Sequence, residues 1–325
     1  MRIVYMGTPD FAVSALEAIF GAGYEVAAVV TQPDKPKGRG NKMQFPPVKE
    51  KAVELGLPVL QPARVRDPAF TAALKELAPD AIIVSAFGQI IPKEILEMPK
   101  YGCINIHASL LPKYRGAAPI QWAVIDGEEV SGVTIMRMDE GLDTGDILNA
   151  REIPLAADET GGSLFDRLAR LGGELLLETL PLLEAGEICP VKQPAESPTP
   201  YARMITKADS RIDWTMSAGA LERRIRGLSP WPGSSCVCRG KTLKIWRAEV
   251  PEEESTLPAG CAAKMEESTL PAGCVAKIDK DSFSVQCGTG ILRILELQAE
   301  GKKRMAAGDF LRGFPLKEGE SLASE

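Results

Sequence analysis

The first half of the chain alternates short, almost wholly apolar runs with longer amphipathic stretches. That alternation constrains the fold more than any other feature. Residues 2–7 (RIVYMG), 25–31 (EVAAVVT), 81–86 (AIIVSA), 103–107 (CINIH) and 133–138 (VTIMRM) carry apolar side chains at both alternating positions. A strand that is apolar on both faces must be covered on both faces, which is the property of a parallel sheet flanked by helices. Helical spacing is read between these runs: Phe11, Leu16, Ile19 and Phe20, then residues 47–56, 68–77 and about 118–125. Residues 163–184 repeat Leu164, Leu168, Leu171, Leu175 and Leu182, and Gly186 is a stop signal near the end of that helix. In such sheets, pockets open at the carboxyl ends of strands.

At 325 residues the chain is long enough for two domains. The first is expected over 1–188. Residues 187–200 hold four prolines (190, 194, 198, 200) with little periodicity, so 189–207 reads as a linker. Residues 217–227 read as a basic amphipathic helix. Short strand-like runs follow at 234–238, 242–248, 274–278, 282–287 and 290–297, and they suggest a small barrel over 208–315, with 316–325 as a tail. One repeat interrupts this domain: EESTLPAGCAAK at 253–264 recurs as EESTLPAGCVAK at 266–277. Two copies cannot make a solenoid, so the repeat is read as a tandem duplication that lengthens a solvent loop.

With 45% hydrophobic and 25% charged residues, the chain has a globular composition. No apolar run approaches the roughly 18–20 residues that span a membrane. The first residues lack the basic head and long apolar stretch of a secretory signal, so no membrane and a cytoplasmic location are expected. Seven scattered cysteines fit reduced thiols. The single histidine, His107, excludes multi-histidine metal sites, and no metal is expected. The net charge of −6 hides two basic islands: residues 34–51 hold six Lys or Arg against Asp34 and Glu50, and residues 201–247 hold ten basic against three acidic groups. An acidic protein with basic islands is suited to holding a polyanion locally.

The informative stretch is CINIHASLLP at 103–112. Asn105 and His107 are two apart at a strand end, so both project to one face. There His107 can exchange a proton, and the Asn105 amide can donate to an oxygen that gains charge. The loop DEGLDTGD at 139–146 offers a carboxylate to orient the imidazole. An Asn-x-His pair also fits a histidine merely satisfied in a core. The acidic loop also fits a plain turn, and its spacing fails the helix–loop–helix calcium pattern.

The motifs MGTPDFA (6–12), TQPDKPKGRG (31–40), SAFGQIIP (85–92), CINIHASLLPKYRGAAPIQ (103–121) and MDEGLDTGDIL (138–148) resemble the methionyl-tRNA formyltransferase family. RIDW (211–214), LSPWPG (228–233) and LELQAEGKKRMAAGDFLRG (295–313) resemble its second domain. The resemblance implies an α/β fold: a Rossmann-like, mostly parallel sheet as the formyltransferase domain, followed by a small OB-like β-barrel that binds tRNA. It implies 10-formyltetrahydrofolate as cosubstrate, initiator methionyl-tRNA as acceptor and no metal, and the chain is read as a monomer. It places the catalytic Asn, His and Asp on Asn105, His107 and Asp143, and the folate site on Ser109, Leu110, Leu111 and Pro112, within a pocket formed by 85–92, 109–112 and 139–144. By the same resemblance Lys35, Lys37, Arg39 and Lys42 lie on a loop that enters the acceptor stem, expected to order on binding. The further tRNA candidates are Arg223, Arg224, Arg226, Lys302, Lys303 and Arg304.

Neither GxGxxG after the first strand nor GxxxxGK[ST] is present, so no NAD and no ATP are expected. The competing readings are a formyltransferase acting on a nucleotide-sugar or ribonucleotide amine, a formyl-folate hydrolase, and an RNA-binding module with an inert first domain.

Overall fold

A computed structural model describes residues 1–37, 42–251 and 270–322. The chain divides into two compact units. The first comprises Met1–Pro119, Val130–Leu155 and Leu164–Arg203; the second comprises Ile120–Glu129, Ala156–Ser163 and Met204–Glu325. The Pro-rich segment read as a linker from residue 189 therefore packs with the first unit as far as Arg203.

Among the described residues the first unit has nine strands: β1 (Arg2–Gly7), β2 (Glu25–Val30), β3 (Lys35–Lys37), β4 (Lys42–Gln44), β5 (Val59–Leu60), β6 (Ala81–Ser85), β7 (Cys103–His107), β8 (Val130–Arg137) and β9 (Ile147–Pro154). Seven of them form one sheet in the order β5-β2-β1-β6-β7-β8-β9. The pairs among the first five strands are parallel, as the apolar runs imply. Their residues lie inside: Ile3, Val4, Tyr5, Met6, Ile82, Ile83 and Ile104 are completely buried. The helices α1 (Val13–Gly21), α2 (Pro47–Glu54), α3 (Pro68–Leu77), α4 (Lys93–Leu96) and the long α6 (Gly161–Ala185) accompany the sheet strands in sequence. Leu164, Leu168, Leu171 and Leu175 of α6 are buried, which is the periodicity read from sequence.

Two features of this unit escape the pattern. β8 runs antiparallel to β7, and β9 antiparallel to β8. Residues 138–146 are too few for a parallel crossover, so the chain returns as a hairpin. β9 (ILNAREIP) mixes apolar and polar residues on the edge of the sheet, outside the continuous apolar signal. The basic stretch read as an unordered loop instead pairs β3 with β4 as a two-stranded ladder, Lys35 opposite Gln44 and Lys37 opposite Lys42. Arg39, at its tip in sequence, lies outside the described residues.

The second unit contains α5 (Pro119–Asp126), whose first residue is assigned to the first unit, together with α7 (Ala218–Gly227) and α8 (Ala307–Gly313). Its strands are β10 (Ser234–Cys238), β11 (Lys241–Glu249), β12 (Val275–Ile278), β13 (Phe283–Gln286), β14 (Ile291–Ala299) and β15 (Met305–Ala306). All pairs are antiparallel, in an open path β10-β11-β14-β13-β12 among the described residues, with β15 against β14. Ser217 caps α7 by accepting from the Ala220 N–H. Leu221 and Ile225 of that helix join Phe283, Val285, Leu292 and Ile294 in one core. The second copy of the repeat supplies β12, with Val275 completely buried; the first copy lies outside the described residues. No helix among the described residues is long and apolar enough to cross a membrane.

Phe283 is fully buried, so Phe283→Ala should cost about 3–5 kcal/mol through lost burial and a residual cavity. All four tryptophans (122, 214, 231, 246) lie in the second unit, so its unfolding in urea is read directly by tryptophan fluorescence. The thiols provide a second test. Cys189 is exposed, whereas burial pushes the Cys103 and Cys236 thiols up to about 12. Iodoacetamide at pH 8 should label Cys189 within minutes and spare Cys103 and Cys236 until the chain is unfolded, as peptide mapping by mass spectrometry will show.

Candidate active site

β7 is wedged between β6 and β8, with Val84 opposite Asn105 and Thr134 opposite His107. Its backbone is thereby fixed, and its polar residues cluster toward the carboxyl end. Asn105 is 8% and His107 6% exposed. Among the described residues the Asn105 amide makes no hydrogen bond to protein and is not among the sealed unsatisfied groups, so it keeps contact with solvent.

The chain then enters a loop held by β8. Thr134 Oγ1 donates to the Ser109 carbonyl at 2.7 Å and accepts from the Leu111 N–H at 3.0 Å. The Ser109 hydroxyl donates to the Lys113 carbonyl at 2.6 Å. Of the residues assigned to folate, Ser109 and Leu111 are thus buried, and the Ser109 hydroxyl and Leu111 N–H serve loop geometry; Leu110 and Pro112 are half-buried. Next comes Tyr114 in the left-handed region, at φ +57°. This turn brings the Tyr114 carbonyl back to His107 Nε2, at 3.0 Å. A carbonyl only accepts, so Nε2 carries a proton and donates. Nδ1, the other ring nitrogen, faces Asp143 Oδ1 at 3.8 Å. That distance is beyond a direct hydrogen bond but close enough for strong charge attraction once the ring is protonated. Both nitrogens therefore face oxygen acceptors, and an imidazolium formed during a reaction would be held from two sides.

Asp143 itself adopts φ +57° in the β8–β9 loop, and its Oδ2 accepts from the Gly116 N–H at 2.9 Å. The loop is folded on itself by Asp139, whose Oδ1 accepts from the Gly141 N–H at 3.0 Å and the Thr144 hydroxyl at 2.8 Å. A side chain at Gly145 would overlap the Arg137 carbonyl oxygen, and one at Gly116 (φ +124°) would stand 2.7 Å from the Ala202 carbonyl. Glycine is required at both places by close backbone approach. The structure thus brings His107 and Asp143 together, with Asn105 on the same strand face as His107. A cleft of about 410 Å³ in this unit is lined by Lys93, Tyr101, Arg137, Met138, Asp139 and Glu140 among others. It shares Asp139 and Glu140 with the segment expected to bind folate, but not the three candidate catalytic residues.

Sequence reasoning missed what holds this loop from behind. The Tyr114 N–H donates to Thr199 Oγ1 at 2.7 Å, and the Ser197 hydroxyl donates to the Pro112 carbonyl at 2.8 Å. The Ala202 N–H donates to the Arg115 carbonyl, and the Ala118 N–H to the Ala202 carbonyl. Arg115 is buried and hydrogen-bonds to Gln193. Proline content marked this segment as non-periodic, and no local pattern reveals a partner some 80 residues distant.

The basic candidates divide. Lys35 is exposed on β3, while Lys37 and Lys42 face each other in the β3–β4 ladder register. In the second unit the three arginines of α7 are half-buried and engaged internally. Arg223 donates to the Ile125 carbonyl at 3.2 Å, Arg224 to the Asp209 carbonyl at 3.0 Å, and Arg226 to Glu222 and to the Glu159 carbonyl at 2.7 Å. They do not form a free basic face. Lys302, Lys303 and Arg304 are exposed; Arg304 pairs with Glu296 and lies 5.3 Å over the Trp246 ring.

A formyl transferase family model matches residues 1–180, and a model of the formyl transferase C-terminal domain matches residues 204–315. A methionyl-tRNA formyltransferase of Lachnospira eligens is 54% identical over 322 residues, covering 99% of each chain. One from Caldanaerobacter subterraneus subsp. tengcongensis is 50% identical, covering 99% of this chain and 100% of its own. Among solved structures, the N-formyltransferase of Helicobacter canadensis in complex with folinic acid and dTDP-3-aminofucose superposes with a TM-score of 0.64 at 18% identity, over 94% of this chain and 100% of its own. HypX of Aquifex aeolicus in complex with tetrahydrofolic acid gives a TM-score of 0.60 at 20% identity, over 98% of this chain and 48% of its own. At these identities the structural likeness bears on fold alone.

Thr134→Val keeps the branched shape but orphans the Ser109 carbonyl and the Leu111 N–H. It should cost about 1–3 kcal/mol of stability in urea unfolding followed by circular dichroism.

Proposed function

This chain belongs to the methionyl-tRNA formyltransferase family, and on that footing we propose that Asn105, His107 and Asp143 carry its transfer chemistry. The enzyme moves a formyl group to the free amine of methionine on initiator methionyl-tRNA. We propose 10-formyltetrahydrofolate as the donor and a monomer working in the cytoplasm.

The observation that supports the catalytic assignment most strongly is the placing of the only histidine between the Tyr114 carbonyl and the Asp143 carboxylate, on the strand face it shares with Asn105. The amine attacks the formyl carbon only while neutral, so it must shed a proton as the new C–N bond forms. The formyl oxygen then gains negative charge, which the Asn105 amide is suited to stabilise by donating a hydrogen bond and the protonated His107 ring by its positive charge, its two N–H groups facing Tyr114 and Asp143. Asp143 orients the ring, supports its positive charge, and passes the proton by way of a water toward the departing folate nitrogen. The old C–N bond breaks as that nitrogen is protonated, leaving N-formylmethionyl-tRNA and tetrahydrofolate. Leu110 and Pro112, half-buried, would line the folate side, with Ser109 and Leu111 holding the loop in shape behind them.

For the tRNA we propose Lys35, Lys37 and Lys42 of the β3–β4 ladder, with Arg39 between them in sequence, and the exposed Lys302, Lys303 and Arg304. Phosphate contacts of this kind are sequence-independent and weaken with salt. Arg223, Arg224 and Arg226 have internal acceptors and contribute through the shape and field of their helix. Acceptors of the nucleotide-sugar kind are the second reading; the close relatives over the whole chain favour tRNA.

His107→Ala should slow formyl transfer to charged initiator tRNA by at least about 100-fold, the scale of general acid–base catalysis, while tRNA affinity stays within about 2-fold. A near-normal rate would refute the assignment.

A further inference from the structure

We propose that Gln193 is a positioning residue for formyl transfer. Anchored on buried Arg115, it locks the Asp143 loop in the conformation that faces His107. The inference rests on the catalytic reading of Asp143 given above.

Gln193 joins two segments far apart in sequence. Its Oε1 accepts from Arg115 Nε at 3.1 Å and Nη2 at 3.0 Å. Its Nε2 donates to the Asp143 carbonyl at 3.0 Å and the Gly145 carbonyl at 2.7 Å. A guanidinium can only donate and a carbonyl can only accept, so the amide has one possible orientation and uses every hydrogen in reach. The two carbonyls flank Thr144, and gripping both fixes the turn that contains Asp143. That residue stands at φ +57°, a region that non-glycine residues seldom occupy unless their surroundings impose it. Without the grip the residue relaxes toward ordinary backbone angles and its carboxylate swings off the 3.8 Å approach to His107.

Arg115 explains why a glutamine is used. It is 7% exposed, and it also donates to the Ala195 carbonyl at 3.1 Å and the Pro194 carbonyl at 2.7 Å. All of these acceptors are neutral oxygens, so a buried cation is held rigidly by the Pro-rich segment with no counter-ion among the described residues. Next along the chain is Gly116, whose N–H binds Asp143 Oδ2. The carboxylate is thus fixed from the Gly116 side and its backbone from the Gln193 side, both referred to the same arginine segment. Gln193 hydrogen-bonds neither Asn105 nor His107, so its effect on the reaction passes through Asp143.

The test is a cycle of Gln193→Met and Gln193→Glu, each alone and combined with Asp143→Asn, in the full-length enzyme. Steady-state formyl transfer to initiator methionyl-tRNA is measured alongside melting by circular dichroism. Met keeps the volume without hydrogen bonds; the Glu carboxylate still accepts from Arg115 but cannot donate to two carbonyls. Each variant should lower kcat roughly 10–100-fold, the cost of misplacing a catalytic group by about 1 Å, with KM for donor and tRNA unchanged. In the Asp143→Asn background neither should lower kcat further. Unchanged kcat in Gln193→Met and Gln193→Glu, or an equal loss in both backgrounds, would overturn the positioning role while leaving Asp143 catalytic. Wild-type kcat in Asp143→Asn alone would overturn the reading of Asp143 and this inference with it.

Discussion

A strand buried on both faces presents polar chemistry most readily where it ends. β7 is flanked by β6 and β8, its Cys103, Ile104 and Ile106 are buried, and its two hydrogen-bonding side chains lie near its carboxyl end. That constraint fixes where Asn105 and His107 emerge and how rigidly they are held. Everything else at the site consists of loops brought to that strand end. The 108–118 loop supplies the Tyr114 carbonyl, and the β8–β9 hairpin supplies Asp143.

Those loops are costly to hold. Tyr114 and Asp143 both take left-handed backbone angles, which are unfavourable for residues with a side chain. The structure offsets the cost with hydrogen bonds from elements that are rigid already. Thr134 reaches out of β8 to clasp the first loop, and the segment from Val191 to Ala202 clasps both loops from behind. Val191 and Ile147 exchange backbone hydrogen bonds at 2.8 Å, so this segment starts as an extension of the sheet edge. A stretch whose composition suggests a tether is part of the frame that holds both loops.

The sequence made the parallel strands legible because continuous apolar runs have few alternatives, and β1, β2, β6 and β7 fall where those runs lie. Asn105 and His107 were placed on one face by the two-residue period alone. The antiparallel edge was hidden because β9 is half polar, and hairpin return is decided by the length of the preceding loop. The roles of Gln193, Thr199 and Ser197 were invisible for a different reason: each acts through one hydrogen bond or a few bonds to residues 48 or more positions away, and nothing periodic encodes such a pair. The α7 arginines show the converse limit. Their charge is plain in the sequence, but their carbonyl and carboxylate partners at Ile125, Glu159 and Asp209 are assembled only by folding.

The claim on which the chemistry turns is that Asn105 and His107 act together on one developing oxyanion. Single-turnover formyl transfer to initiator methionyl-tRNA by Asn105→Ala, His107→Ala and the double variant tests it most directly. Groups that work as a unit give strongly non-additive losses, so the double variant should be scarcely slower than the worse single one. Losses that multiply, or a wild-type rate in either single variant, would contradict it.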